Sequence, residues 1–185
     1  MESSKKRDKR KNPIIRLSVC AMLIGISIVI GSVCRAYLTF GVFVRITFEN
    51  LPIILSGILF GPIYGFCVGL CTDLVSCIVT AQEINPIITA GAAAVGLVAG
   101  VFSVFLSVFP KNRFKHIIPC AAAHVVGCLF IKTFGLHVYY FSTTSFWYLF
   151  LIRAAVYAFI ATAESAIILL VLKNKFIKGF SNYEL

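Results

Sequence analysis

The chain has 185 residues, of which 59% are hydrophobic and 13% charged, with a formal net charge of +10. Such a composition excludes an ordinary soluble domain. The basic residues cluster at the edges of apolar runs, which argues for a membrane and against a nucleic-acid partner. A run of about 20 apolar residues crosses a bilayer, and windows of that length predict six spans, at 13–34, 48–60, 62–80, 86–109, 116–140 and 147–172. The connections are short, so the chain reads as all-α, a polytopic six-helix transmembrane bundle. Residues 1–13 form a basic tail, 14–172 the membrane domain and 173–185 a C-terminal tail.

Span one follows Lys5, Lys6, Arg7, Lys9, Arg10 and Lys11, and Arg16 lies at its start. Its apolar run from Ile14 is too long for a signal-peptide core and lacks a clean small-x-small cleavage site, so an uncleaved helix is expected. Lys111, Arg113 and Lys115 lie between spans four and five, and Lys173, Lys175 and Lys178 follow span six. With an even number of spans these three basic sets share one side, so both termini are expected to be cytoplasmic. Ser18, Ala21, Gly25 and Ser32 fall within roughly a 60° sector of span one, a stripe that lets another helix approach closely.

Between spans one and two lies the aromatic-rich "YLTFGVFVRITFEN". Span two is too short to cross comfortably; Asn50 and Pro52 suggest its start. Span three opens with Gly61, Gly65 and Gly69 at fourfold spacing, and span four carries Ala92, Gly96 and Gly100 likewise, a pattern for tight helix packing. Asn85 suits the N-cap of span four and Pro86 its first turn. Seven cysteines lie in or at the ends of spans without a CxxC pair, and read as packing residues. Cys120 and His124 share a helix face, but two ligands without a third make a weak metal signal. No metal and no cofactor are expected.

Ionisable groups inside spans are functional candidates: here Asp73, His124, Lys132, Arg153 and Glu164. Counted from the helix ends at about 1.5 Å per residue, Asp73, Lys132 and Arg153 are level in the outer half, and His124 and Glu164 in the inner half. On span six Arg153, Tyr157 and Glu164 fall within about 40° of one another, interrupted by Ile160, and should face the interior. The expectation is an outer polar cavity, with Lys132 beside Asp73 and Arg153, above a structural polar pair, His124 with Glu164. Phe40, Phe43, Phe48, Tyr139, Tyr140, Phe141, Phe146 and Trp147 gather near the outer mouth, as an interfacial belt or as stacking surfaces for a flat anionic ligand.

"RITFENLPIILSGILFGPIYG", "EINPIITAGAAAVGLVAG", "HVVGCLFIKTFGL" and the spacing Arg153, Tyr157, Glu164 resemble the folate-family substrate-binding S components of energy-coupling factor (ECF) transporters, over about residues 14–172. The resemblance implies a vitamin-binding membrane subunit, not an enzyme, in a bacterial plasma membrane. It also implies partners, a transmembrane coupling subunit and two ATP-hydrolysing subunits. Ala21 and Gly25 match an A-x-x-x-A motif that contacts the coupling subunit, with glycine in the second place. Folate needs rings for stacking, a hydrogen-bonding edge for its pterin and cations for its carboxylates. Asp73, Gln82 and Asn85 are candidates for the edge, Arg45, Lys132 and Arg153 for the carboxylates, and Tyr140 and Trp147 for the rings. Arg35 and Glu83 are weaker candidates.

The chain has no G-x-x-x-x-G-K-[ST] loop, so ATP hydrolysis is expected on other subunits. An intramembrane enzyme is disfavoured because Asp73 and Glu164 lie at different depths and no H-E-x-x-H or G-x-S-x-G motif occurs. Within the binding class, pantothenate, a pyrimidine precursor and a deazapurine are the rivals to folate.

Overall fold

A computed structural model of the protein describes residues 13–40, 44–107, 117–142 and 144–173. They form six helices: α1 (Pro13–Tyr37), α2 (Asn50–Phe60), α3 (Pro62–Val79), α4 (Pro86–Ser107), α5 (Ile117–Tyr140) and α6 (Phe146–Lys173). All but α2 are long and apolar enough to cross a membrane. The basic segments 1–12, 108–116 and 174–185 lie outside the described residues, as does Phe43.

Helix α2 is too short to cross, as its length in the sequence indicates. Its 11 residues rise about 16 Å, roughly half of a hydrocarbon core. Asn50 and every residue from Pro52 to Phe60 are buried, so α2 is a plug within the bundle rather than a lipid-facing helix. An apolar helix that turns no polar face outward must be enclosed on all sides. The start differs from expectation: Asn50 does not cap α2, because its amide is drawn into the core, as described below. Gly61 joins α2 to α3 with φ 100°, a conformation in which a Cβ is strained.

The predicted glycine packing is present between α3 and α4. A Cβ on Gly65 would lie 2.3 Å from the Gly96 carbonyl oxygen, and one on Gly96 would lie 2.0 Å from that of Gly65. The two backbones therefore touch, and any side chain there forces the helices apart. On α1 the small stripe faces the other way. Ser18, Ala21 and Gly25 are exposed, and a Cβ on Gly25 would meet nothing within 4 Å.

Helix α5 is not uniform. Residues Ile117–Ala123 and Thr133–Tyr140 are α-helical, but His124–Lys132 is π-helical, with wider turns closed by i→i+5 bonds. Residues four apart lie closer to one line on such a helix than on an α-helix. His124, Cys128 and Lys132 are accordingly all buried on one face. Gly127 lets this segment press on α4, since a Cβ there would lie 2.4 Å from Val95 Cγ2. Besides the helices, Thr39–Phe40 and Val44–Arg45 pair as a two-residue antiparallel ladder, β1 and β2, between α1 and α2.

Candidate functional site

A cavity of about 580 Å³ opens at the end of the bundle where β1–β2, the 80–85 turn and Phe141 lie. All six helices contribute to its wall. Of the candidates read from the sequence, Arg45, Asp73, Gln82, Asn85, Lys132, Tyr140 and Arg153 line it, as do the weaker ones, Arg35 and Glu83. Trp147 does not. It sits in the first turn of α6, 70% exposed, and packs edge-on against Phe146 and Phe150 on the outside of the bundle. Its position near the mouth in sequence does not bring it to the cavity, because the adjoining helical turn points it outward. Tyr140, Phe141 and Tyr157 are the aromatic residues of the lining.

Each cation in the wall is held by neighbours. Arg153 donates from Nε to Thr133 Oγ1 at 2.9 Å and from Nη2 to the Tyr157 hydroxyl at 2.8 Å, with its guanidinium 5.1 Å from the Tyr157 ring centroid. Thr133 in turn donates to the Cys128 carbonyl at 3.1 Å, five residues back, in the register of the π segment. Lys132 donates to Asn50 Oδ1 at 3.2 Å, while the Asn50 Nδ2 lies 3.4 Å from Cys128 Sγ. Here the buried Asn50 serves as a bridge between α2 and α5. Arg35 ties α1 to the end of α3, donating to Thr80 Oγ1 at 2.8 Å, Gln82 Oε1 at 2.5 Å and Ser76 Oγ at 3.1 Å.

Lys132 is not paired with Asp73. Among the described residues, the carboxylate within 4 Å of its ammonium belongs to Glu49, at 3.9 Å. Glu49 also accepts from Arg45 at 3.1 Å. It precedes α2, and its main-chain carbonyl accepts a bond from Ser27 of α1. Burial alone would raise the Glu49 carboxyl, but Lys132, Arg45 and Arg35 together hold it below its ordinary value. Glu49 was not among the ionisable candidates because it sits at the very edge of span two, beside the aromatic-rich connection and not deep in an apolar run. The signal available was its spacing of four from Arg45 just before a helix start.

Asp73 occupies a different part of the wall, where its Oδ2 accepts from Thr89 of α4 at 2.6 Å. Asn85 caps α4 as predicted: its Oδ1 accepts from the backbone N–H of Ile87 at 3.0 Å and of Ile88 at 3.3 Å. The Asn85 Nδ2 and the Thr72 hydroxyl are buried without a hydrogen-bond partner among the described residues. The cavity wall therefore mixes cations (Arg35, Arg45, Lys132 and Arg153) with acidic and neutral hydrogen-bonding groups (Glu49, Asp73, Gln82, Glu83 and Asn85).

Beneath the cavity the structure brings His124 of α5 and Glu164 of α6 together, with Nε2 and Oε2 3.1 Å apart. Ala21 and Gly25 lie on the exposed face of α1, and neither belongs to the cavity lining.

The chain matches the family described as ECF transporter, substrate-specific component, over residues 16–183. It belongs to that family. No curated protein matches the chain closely enough to name as a relative. As an S component it is a multi-pass membrane protein and the substrate-binding subunit of an ECF transporter. Its partners are the coupling and ATPase subunits of the ECF module, where ATP is hydrolysed.

Proposed function

We propose that this S component captures folate or a reduced folate in the cavity and passes it to the ECF module for import. The observation that carries the reading is that one cavity is lined by cations, by neutral and acidic hydrogen-bonding groups and by aromatic rings together. Arg45, Lys132 and Arg153 supply charge for the two carboxylates of the glutamate moiety, with arginine suited to a bidentate grip. Asp73, Gln82 and Asn85 supply acceptors and donors for the pterin edge. Tyr140, with Phe141 and Tyr157, supplies ring surface. A volume of about 580 Å³ falls in the range of small-molecule sites.

In this reading the basic segments are cytoplasmic and the cavity opens outward. Ala21 and Gly25 supply an exposed, close-approach surface for the coupling subunit, supported by the empty space around Gly25.

The test is calorimetric titration of the protein, purified alone in detergent, with folate, 5-formyltetrahydrofolate and pantothenate. The expected result is binding of one or both folates and none of pantothenate. Tight binding of pantothenate, a pyrimidine precursor or a deazapurine without folate overturns the vitamin assignment and leaves the family untouched.

A further inference from the structure

The cluster beneath the cavity contains more than the His124–Glu164 pair. Cys120 lies one turn before His124 on α5, and the donor atoms of Cys120, His124 and Glu164 all lie within 4.8 Å of one another. All three residues are buried, with exposures of 0%, 2% and 0%. The short His124–Glu164 contact is not an aligned hydrogen bond. Both ring nitrogens of His124 and both carboxylate oxygens of Glu164 are buried without a hydrogen-bond partner among the described residues. The neighbouring Tyr157 meets the imidazole as a T-shaped ring at 5.9 Å, and its hydroxyl accepts from Arg153. The Cys120 thiol makes a long contact, 3.8 Å, to the Ala161 carbonyl, to which the neighbouring Ser165 hydroxyl also donates. Buried polar atoms are almost always satisfied, and these converge on one point from two helices.

We infer that Cys120, His124 and Glu164 bind one divalent transition-metal ion of the zinc class. Sulfur, imidazole and carboxylate form a donor set that zinc accepts, whereas magnesium and calcium take oxygen. The charges balance. A thiolate and a carboxylate offset a dication, so the occupied site places no net charge in the apolar interior. Three protein donors leave a fourth coordination position open. The ion ties α5 to α6 below the cavity, with its ligand His124 at the start of the π-helical segment, about two turns of α5 from Lys132. Cys120 is the fourth residue of α5, about 5 Å from its start at helical rise, so the site lies toward the end of α5 away from the cavity. This site is independent of which vitamin the cavity binds.

The test uses full-length protein stripped with a chelator and titrated with Co²⁺ alone, then with Zn²⁺. The expected result is a thiolate-to-cobalt charge-transfer band that saturates at one ion per chain and is displaced by Zn²⁺. Cys120→Ser abolishes the band, and Glu164→Gln weakens Co²⁺ binding by more than the roughly 10–100-fold typical of losing an outer-shell partner. A protein with Cys67, Cys71 and Cys77 all replaced by serine keeps the band. The unaltered Zn²⁺-loaded protein provides a readout that does not depend on any variant folding. Its X-ray absorption fine structure should fit one sulfur at about 2.3 Å and nitrogen or oxygen at about 2.0–2.2 Å. Absence of a band in the unaltered protein, its persistence in Cys120→Ser, or a zinc shell with several sulfurs or none would overturn the inference.

Discussion

Arg153 and Glu164 stand on the same side of α6, yet their surroundings differ. Arg153 borders a solvent-reachable cavity and makes aligned bonds to Thr133 and Tyr157. Glu164 is wholly enclosed, and its oxygens find His124 close by but no aligned donor. Near water a charge can be held by one or two neighbours and still offer a face to a ligand. In the dry interior the same charge needs a complete set of partners, or its burial is costly. Helix α6 therefore carries a group poised for exchange at one level and a group bound to its setting at the other.

The sharpest way to break this comparison is to remove the enclosed carboxylate. Glu164→Ala leaves His124 buried beside a void, and losing one member of a buried pair typically costs about 3–5 kcal/mol. The variant should melt well below the parent in detergent. Its folded fraction should bind vitamin with little change, because Glu164 is not part of the cavity wall. A large drop in affinity with an unchanged melting temperature would show that the two levels act as one site.

Arg153→Ala probes the upper level, and its effect should appear in affinity rather than in stability. Truncating one member of a hydrogen-bonded charge contact with a ligand costs about 2–5 kcal/mol, about 30-fold or more in Kd. The loss should be much larger for folate than for a pterin lacking glutamate. Equal losses for the two would reject the carboxylate role and move Arg153 into the group of residues that merely shape the wall.

These two residues also mark how far the sequence could be read. Helix positions were legible because apolar runs long enough to span are rare outside membranes. The six predicted spans differ from the helices by only a few residues. The shared face of Arg153, Tyr157 and Glu164 followed from helical phase alone. The π-helical turns of α5 were not legible, since close packing at Gly127 against α4 accompanies them and no local propensity announces them. The partner of Lys132 was misplaced for a related reason. Depth along a helix ranks residues by level but not around the bundle, so it brought Asp73 near Lys132, where the fold brings Glu49. Asn50 was read as a cap because its type suits one. Enclosure of α2 turned it into a bridge between Lys132 and Cys128.

Glu49→Gln yields a smaller, pH-dependent effect. The Glu49 carboxyl sits below its ordinary value of 4.5 because three cations outweigh the effect of its burial. A carboxylate with a lowered folded-state pKa lends stability that is whole above the ordinary value and is lost as pH falls through the lowered one. Melting temperatures measured from neutral pH down to acid should therefore show the parent more stable than the variant at neutral pH. The gap should close as Glu49 takes up its proton. A gap that stays constant with pH would mean that the side chain matters for its shape and not for its charge.

The smallest expected effect is at Trp147, and it tests where the cavity ends. Trp147 projects from the first turn of α6 into a cluster with Phe146 and Phe150 and is largely exposed. Tryptophan at such a position anchors a helix at the membrane interface. Phenylalanine keeps the ring contact and gives up the indole N–H. Trp147→Phe should then leave vitamin affinity unchanged in isothermal titration, although it removes the intrinsic tryptophan signal of a chain with one tryptophan. Tyr140→Ala, on the wall itself, provides the contrast, since a lost stacking partner costs about 0.5–1.5 kcal/mol beyond its buried area. A fall in affinity for Trp147→Phe as large as that for Tyr140→Ala would mean that the ligand reaches past the wall to the aromatic cluster at the head of α6. The boundary between binding surface and membrane anchor would then have to be drawn one helical turn further out.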